Sequence, residues 1–367
     1  MIEGAIDLRL GSPCDPPPDL VIDAMASAAD SLGPYGKSVG SPVFRQAAAD
    51  WMRRRLDVEI DPESVAACVG TKEFVAGLAL LLGAGCGRGR DTVLIPAVAY
   101  PTYAVGAELA GCRVVRVPMT DRFTLDLAGV DADDAARSRL LWVNSPGNPA
   151  GGLDDLEAAA AWGRERGIVV CSDECYVEYT WSGAPVGEVG LPASTMLSSG
   201  TSGVLALHSL SKRSNLAGGR IGFYAGDAAL IAELGERRRE LGLVVPGPMQ
   251  AAGATAWSDQ QHVTEQRERY LRRLERLAEA AVSAGCFDVR LPEGGFYLWL
   301  DVGDDDRAAV ATLAGAGVLV QPGSIYGAAG AGRVRLAAVR PDAGIDEAAR
   351  RLEALRGVLA GGAGLRR

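Results

Sequence analysis

Lysine is rare in this chain, which draws attention to the few lysines present. Among 367 residues only Lys37, Lys72 and Lys212 are lysines, and arginine supplies every other positive side chain. A coding bias that exchanges lysine for arginine on the surface explains the ratio. Because arginine stays charged in proteins whereas a desolvated lysine amine can act as a nucleophile, each remaining lysine is a candidate for chemistry that arginine cannot perform.

Lys212 lies in a segment whose polar residues are suited to a phosphate. Ser209 and Ser211 precede it, and Arg220 follows eight residues later. Hydroxyls and a two-pronged guanidinium suit a dianion. A lysine beside a phosphate site suggests pyridoxal phosphate (PLP) held as a Schiff base, a covalent imine with the lysine amine. A plain surface lysine is the alternative interpretation of this segment taken alone.

Asp173 and Tyr176 form a second candidate group at the end of a predicted strand, 168–172. PLP withdraws electrons only while its pyridine nitrogen is protonated, and a buried carboxylate beside that nitrogen raises its pKa. Asp173 is therefore a candidate partner of this nitrogen. The alternative is that Asp173 is a helix N-cap, which is common for an aspartate after a strand.

Two further segments place polar groups just after predicted strands. Asn148 lies in the proline- and glycine-rich segment 144–152, from which it could donate a hydrogen bond to the phenolic oxygen of PLP, although a simple turn has the same composition. Gly70-Thr71-Lys72 lies between a strand and a helix. It offers backbone N–H groups and the Thr71 hydroxyl to a phosphate at a helix N-terminus.

Secondary structure must bring these segments together. Apolar, β-branched runs predict strands at 65–69, 92–96, 113–117, 139–143, 168–172, 203–207 and 220–225. Helical patterns lie between them, at 73–82, 101–110 and 153–166. Strands that are apolar throughout are typical of a sheet covered on both faces, so the alternation predicts an α/β domain with a mainly parallel sheet sandwiched by helices. Such sheets place ligand sites at the carboxyl ends of their strands.

The C-terminal part predicts a smaller α+β domain. A long charged helix at 259–284 bridges to strands near 296–301, 317–321 and 333–338 and to helices at 306–315 and 344–358. A helix near 19–30 is expected to pack against this unit rather than against the sheet. We divide the chain into an N-terminal segment that packs with the small domain (1–40), a large PLP-binding domain (41–260) and a small C-terminal domain (261–367).

Composition and patterning argue against several other classes of protein. A net charge of −9 argues against nucleic-acid and membrane-surface binding, and no run of about 20 apolar residues predicts a membrane span. The glycine-rich run 83–89 follows a helix and precedes a strand, the reverse of the order in a dinucleotide-binding motif, so it is predicted to be a loop. Two histidines and seven scattered cysteines predict no metal site and fit a cytoplasmic protein with reduced thiols. No secretory signal is expected at the N-terminus.

Four segments, in this order along the chain, resemble the fold-type I PLP-dependent aminotransferases of class I/II. They surround Thr71, Asn148, Asp173 and Lys212, and the likeness extends from residue 7 to the C-terminal helix. Details at 70–76, 100–103, 172–176 and 209–218 look most like the actinobacterial N-succinyldiaminopimelate aminotransferases of lysine biosynthesis. The resemblance implies transfer of an amino group from an amino acid, with glutamate as the expected donor, to a 2-oxo acid such as N-succinyl-2-amino-6-oxopimelate.

The resemblance also implies a role for each residue that matches the cofactor site. Lys212 would form the imine and move the substrate proton, and Asp173 would pair with the pyridine nitrogen. Asn148 and Tyr176 would hold the phenolic oxygen, and Tyr100 would stack on the ring. The residues that would contact the phosphate are Thr71, Lys72 through its backbone N–H, Ser209, Ser211 and Arg220.

Three more positions match residues at the substrate and at the subunit interface. Arg335 would bind the substrate α-carboxylate, with Gly11 and Asn148 beside it. Tyr35 would reach the phosphate of the other subunit, which implies a homodimer. A second substrate carboxylate needs another cation, for which Lys37 and Arg213 are the candidates.

Departures from the family pattern concern the substrate. The arm before Leu10-Gly11 is very short, Ala150 replaces a threonine, and 294–299 resembles class I aminotransferases in general as much as the succinyldiaminopimelate branch. One alternative function is another PLP-dependent reaction, by a lyase, cyclase or decarboxylase of a biosynthetic cluster. The other is a PLP sensor fused to a DNA-binding domain, but the sequence shows no helix-turn-helix arm.

Overall fold

The computed structural model describes residues 4–83, 89–181, 194–286, 289–356 and 359. Its largest element is a seven-stranded sheet, with strands side by side in the order Val65–Cys68, Gly222–Gly226, Val204–Ser209, Val169–Asp173, Ser138–Asn144, Thr92–Pro96 and Arg113–Val117. The last five are mutually parallel, and Gly222–Gly226 is antiparallel to both of its neighbours. The structure therefore confirms the prediction of an α/β fold with a mainly parallel sheet.

Successive residues of these strands enter two different cores. In Ser138–Asn144, Leu141 and Val143 pack on one face, while Leu140 and Trp142 pack on the other. The helices that cover the first face are Pro42–Leu56, Leu156–Arg166 and Gly247–Ser258, and those on the second are Thr71–Leu81, Thr102–Leu109 and Ala228–Glu240. Because both faces are covered, the strands are apolar at almost every position.

Local chemistry sets the helix ends. Helix Leu156–Arg166 begins where the Asp155 side chain accepts a hydrogen bond from the Ala158 backbone N–H at 2.9 Å. It ends where Gly167 adopts φ = 60°, a left-handed conformation that glycine tolerates without strain. Two short helices, Ala132–Arg137 and Leu210–Arg213, lie at opposite ends of strands of the sheet.

The C-terminal part folds around an antiparallel sheet of Gln321–Pro322, Arg333–Ala337 and Tyr297–Asp301. Its helices are Gln261–Ala284, Asp306–Gly315 and Asp342–Ala354. The single strand expected at 317–321 is wrong. Val318–Leu319 pairs with the N-terminal strand Ile6–Asp7, whereas Gln321–Pro322 pairs with Arg333–Ala337, so the chain changes partner at Val320.

The N-terminal segment contacts both halves of the molecule. Its strand, Ile6–Asp7, joins the C-terminal part, and Leu8 lies in that core. Helix Asp19–Ser27 packs instead on Gly247–Ser258, and its Val21 shares a core with Phe44. The expectation that this helix packs against the small unit is therefore wrong, because Val21 is buried and Met25 packs in the core beside a helix of the large sheet.

Two predictions fall partly outside the described residues. The glycine-rich loop expected at 83–89 includes 84–88, and the helix expected at 344–358 includes 357–358, which the structure does not describe. In the described ranges, that last helix begins at Asp342 and ends at Ala354. Among the helices of the described ranges, none has the length and apolar character needed to cross a membrane.

Candidate active site

A cavity of about 630 Å³ opens at the carboxyl edge of the large sheet. Its walls come from three parts of the chain: strand ends of the large sheet, the N-terminal residues 9–12, and the C-terminal part. The residues singled out from the sequence that line it are Gly11, Thr71, Lys72, Tyr100, Asn148, Asp173, Tyr176, Ser209, Ser211, Lys212, Arg220 and Arg335. The strand-end residues between Thr71 and Arg220 meet because the strands that precede them end at one edge of the sheet. Gly11 and Arg335 reach the same cavity from outside this sheet.

Lys212 lies on the one-turn helix Leu210–Arg213, directly after a sheet strand. Ser209 caps this helix by accepting a hydrogen bond from the Ser211 N–H at 3.1 Å. The Lys212 Nζ donates to the carbonyl oxygen of Gly11 at 2.5 Å. A Cβ at Gly11 would lie 1.8 Å from the Tyr297 hydroxyl, so only glycine fits between Lys212 and Tyr297. The amine is thus held in the cavity and directed at a backbone oxygen that a ligand can replace.

Asp173 presents a buried carboxylate at the end of its strand. Its Oδ2 accepts a hydrogen bond from the Tyr103 hydroxyl at 2.9 Å, and its Oδ1 accepts one from the Cys175 N–H at 3.3 Å. Burial raises the pKa of Asp173, and these hydrogen bonds oppose the rise. A cationic partner in the cavity would favour the charged carboxylate. The Asp173 backbone also holds the neighbouring strand, because its carbonyl accepts from Asn144 Nδ2 at 2.8 Å.

A cradle for an anion lies between the start of helix Thr71–Leu81 and Arg220. The first N–H groups of a helix lack intrahelical partners and favour negative charge. A Cβ at Gly70 would lie 2.3 Å from Arg220 Nη2, so the absence of a side chain there lets the guanidinium approach the helix end. Ser209 and Ser211 add hydroxyls to the same cavity. Together these groups form a donor set suited to a phosphate.

Arg335 and Asn148 form the opposite wall. Arg335 Nη1 donates to Asn148 Oδ1 at 2.7 Å, and Nη2 donates to the Arg9 carbonyl at 2.6 Å. Its guanidinium lies 4.1 Å from the centre of the Tyr297 ring. The Asn148 N–H donates to Asn144 Oδ1 at 2.7 Å. Arg335 Nε is buried without a hydrogen-bond partner in the described structure, which marks an unused donor on this side chain.

Among the described residues, four tyrosines line the cavity: Tyr100, Tyr176, Tyr297 and Tyr326. The Tyr176 and Tyr297 hydroxyls are 3.0 Å apart, and burial, with Tyr297 beside it, raises the pKa of Tyr176 well above its ordinary value. Tyr176 therefore keeps its proton and can donate it in a hydrogen bond. Tyr100 packs edge-on against Tyr103, with ring centres 5.8 Å apart.

Three of the residues considered from the sequence do not line this cavity. Tyr35 is fully exposed, and Lys37 is exposed as well. Arg213 is buried: its Nη1 donates to the Ala256 carbonyl at 2.6 Å, and its Nε donates to Glu178 at 3.4 Å. Arg213 as the cation for a second substrate carboxylate is therefore wrong, because its charge is committed to the interior.

Three tyrosines at the site, Tyr103, Tyr297 and Tyr326, carry no function predicted from the sequence. Tyr103 lies near the start of helix Thr102–Leu109, and no sequence signal indicates that its hydroxyl reaches Asp173. The ring centres of Tyr297 and Tyr326 lie 4.1 and 5.2 Å from the guanidinium carbon of Arg335. Only the pairing of Tyr297–Asp301 with Arg333–Ala337 brings Tyr297 there.

The geometry fits a PLP-dependent enzyme. A lysine amine, a buried carboxylate and an anion cradle surround one cavity, and Gly70 leaves the space that the cradle needs. These residues match the three parts of PLP that a protein must hold: the aldehyde, the pyridine nitrogen and the phosphate.

Comparisons with known proteins agree with the assignment of a PLP-dependent enzyme. The family model "Aminotransferase class I and II" matches residues 3–352. The 4-dedimethylamino-4-oxo-anhydrotetracycline transaminase OxyQ of Streptomyces rimosus is 44% identical over 95% of this chain and 93% of its own. An LL-diaminopimelate aminotransferase of Dehalococcoides mccartyi is 32% identical, over 93% of this chain and 88% of its own. The solved structure of a probable N-succinyldiaminopimelate aminotransferase from Thermus thermophilus has a TM-score of 0.86 at 30% identity, over 96% of this chain and 95% of its own.

The chain therefore belongs to the class I and II aminotransferases, and its cofactor is PLP. This confirms the resemblance drawn from the sequence and the predicted enzyme class. The family's substrates are amino acids and 2-oxo acids.

Proposed function

We propose that this aminotransferase uses glutamate as its amino donor and holds the second carboxylate of glutamate with Lys72. Within the described part of the chain, five cations line the cavity: Arg9, Lys72, Lys212, Arg220 and Arg335. Arg9 pairs with Asp7 at 2.8 Å, and we assign Lys212 and Arg220 to the cofactor and Arg335 to the α-carboxylate. Lys72 remains, with its Nζ 6.0 Å from the centre of the Tyr100 ring. It takes the place of Arg213, whose charge is committed to the interior, as the candidate for this role.

The site residues then act as follows. Arg335 binds the α-carboxylate with the planar two-pronged geometry of a guanidinium. The Lys212 amine takes the proton from the substrate Cα and returns it later in the transfer. Asp173 would hold the proton on the pyridine nitrogen of the cofactor, and Asn148 and Tyr176 would donate to its phenolic oxygen. When bound, PLP supplies an electron sink for the pair left at Cα.

For the acceptor, we propose a 2-oxo acid of the diaminopimelate type, N-succinyl-2-amino-6-oxopimelate. The support is similarity to two proteins named as diaminopimelate and N-succinyldiaminopimelate aminotransferases. The 44% identity to OxyQ favours a second candidate, an oxo group on a fused-ring substrate. Leu10 and Ile325, which line the cavity and are exposed, would contact such a ring.

The test is a panel of acceptors with the purified holoenzyme and L-glutamate, in which 2-oxoglutarate is measured. Conversion that depends on an acceptor supports transfer, and the preferred acceptor distinguishes the two candidates. Release of ammonia or CO₂ without any 2-oxo acid would instead indicate a lyase or decarboxylase. Lys72→Ala should raise the KM for glutamate about 10- to 100-fold and leave that for alanine, which lacks a second carboxylate, nearly unchanged.

We also propose that the active unit is a homodimer in which Tyr35 reaches the phosphate site of the partner. The support is the complete exposure of Tyr35, in a segment where Leu32 and Val43 are exposed as well. Sedimentation should show a dimer. Tyr35→Phe should weaken PLP binding without altering the dimer, and unchanged PLP affinity would contradict this role.

A further inference from the structure

The helix that carries Lys212 is too short to satisfy its own carbonyl groups. Leu210–Arg213 has a single turn, and the last four carbonyls of any helix lack intrahelical partners. The Tyr179 hydroxyl fills this need. It donates to the Lys212 carbonyl at 3.0 Å and to the Arg213 carbonyl at 3.1 Å. A hydroxyl has one proton, so the two carbonyls share it.

Tyr179 is itself held rigidly. It is completely buried, its ring meets the edge of Tyr270 with centres 5.1 Å apart, and it also packs on Phe296. Its N–H donates to the Tyr176 carbonyl at 2.8 Å, and its carbonyl accepts from the Gly295 N–H at 2.8 Å. The hydroxyl therefore has a fixed position relative to Tyr176 in the cavity wall.

Glu178, the residue before Tyr179, contacts the helix Leu210–Arg213 through its side chain. Glu178 lies 3.4 Å from Arg213 Nε and accepts a hydrogen bond from Trp51 Nε1 at 2.8 Å. The Arg213 guanidinium lies 5.0 Å from the centre of the Trp257 ring. Glu178 thus contacts the Arg213 side chain, and Tyr179 contacts the carbonyls of Lys212 and Arg213. None of these contacts faces the cavity.

We propose that Tyr179 is a positioning residue for Lys212. Its hydroxyl fixes the backbone from which the Lys212 amine reaches the cavity, and so sets where that amine takes and returns the substrate proton. This inference rests on the proposed role of Lys212. Small displacements of a group that transfers a proton are costly to the rate, whereas substrate contacts at Arg335 are made by other elements. The loss of the hydroxyl should therefore affect turnover more than binding.

The test is Tyr179→Phe, which keeps the ring and removes only the hydroxyl. We expect kcat to fall about 10-fold while the KM for glutamate changes less than about two-fold. In the apoprotein, amides 212–216 should exchange hydrogen about 10-fold faster, without a change in the sheet strands. In the holoenzyme, the pH midpoint of the imine absorbance band should shift. The matched control is Tyr224→Phe, because the Tyr224 hydroxyl is buried without a hydrogen-bond partner in the described structure.

Two results would overturn the proposal. One is a Tyr179→Phe enzyme with the kcat, band midpoint and exchange of the wild type. The other is a Tyr179→Phe protein whose amides exchange hydrogen faster throughout the sheet, while the pH midpoint of the imine band and the kcat per folded molecule stay unchanged. That result would show a role of Tyr179 in folding alone. If Tyr179→Phe does not fold, 3-fluorotyrosine at position 179 keeps the volume and makes the hydroxyl a stronger donor. It should shift the midpoint, and no shift would refute the proposal.

Lys212→Ala distinguishes failure of this inference from failure of the proposed function. Loss of the absorbance band in Lys212→Ala supports the covalent role of Lys212, whatever Tyr179→Phe does. A band that persists in Lys212→Ala would refute that role and this inference with it.

Discussion

Gly70→Ala tests whether the approach of Arg220 to the helix end creates the phosphate site. Gly70 has φ = 73° and ψ = 143°, a conformation found almost only in glycine, and its missing Cβ would lie 2.3 Å from Arg220 Nη2 and 2.7 Å from Cζ. The methyl group can be accommodated only if the guanidinium moves away from the helix. Gly70→Ala therefore removes Arg220 from the cradle without changing any charge.

The expected size of the effect follows from the contact that is lost. A hydrogen bond to a charged group contributes about 1.5–3 kcal/mol, so PLP should bind about 10- to 100-fold more weakly. Backbone strain should lower the free energy of unfolding of the apoprotein by about 1–3 kcal/mol as well. Gly218→Ala is the matched control, because no atom lies within 4 Å of a Cβ there.

The assay is titration of the apoprotein with PLP, followed by absorbance, for Gly70→Ala, Arg220→Ala and the double variant. If both single changes act through the guanidinium, the double variant should bind PLP no more weakly than the worse single variant. Additive losses, or a Gly70→Ala affinity equal to that of Gly218→Ala, would refute the reasoning.

Three further predictions concern the buried charges. Arg335→Lys loses the two-pronged contact, so the KM for amino donors should rise about 10- to 100-fold in steady-state kinetics, and an unchanged KM would exclude Arg335 as the carboxylate ligand. Burial raises the pKa of Glu174 to about 7 from its ordinary 4.5, so its contribution lowers stability as pH rises between these values. Glu174→Gln should remove this pH dependence. In urea unfolding, the free energy of unfolding of the variant minus that of the wild type should therefore increase by up to about 3 kcal/mol between pH 4.5 and about pH 7. Parallel plots of the free energy of unfolding against pH for the two proteins would contradict the raised pKa of Glu174. Glu178→Gln leaves Arg213 facing a neutral amide in the interior and should lower the free energy of unfolding by about 3 kcal/mol, whereas Glu236→Gln, on an exposed ion pair, should cost less than about 1 kcal/mol.

The strands and the edge at which the site forms could be predicted because their signals are local. Each strand of the large sheet except the edge strand Arg113–Val117 is a short, mostly apolar run, and the chemistry-bearing residues Asp173 and Lys212 lie at or just after the ends of such runs. In a parallel sheet, residues that follow strands share one edge wherever they lie in the sequence. The positions of both side chains at one cavity therefore follow from a run of apolar residues and the rule for parallel sheets.

Packing partners carried no such signal. Helix Asp19–Ser27 has an apolar face, but that face specifies burial and not the helix that buries it, which is Gly247–Ser258. Arg213 is one residue from Lys212 in sequence and appeared equally available for a ligand. Its burial beside Glu178 depends on Trp51 and Trp257, which come from helices far apart in the chain.

The sequence by itself determined the α/β sheet, the strand ends and the lysine, carboxylate and hydroxyl residues that follow the strands into the cavity, because these depend on near neighbours and on strand direction. Tertiary structure alone decided which hydroxyls surround them: Tyr103 on Asp173, Tyr297 on Tyr176, and Tyr179 behind Lys212. A buried tyrosine has the same apolar pattern whether its hydroxyl meets a carboxylate, another hydroxyl or a carbonyl. Only the packing of distant elements fixes which partner lies within hydrogen-bond distance.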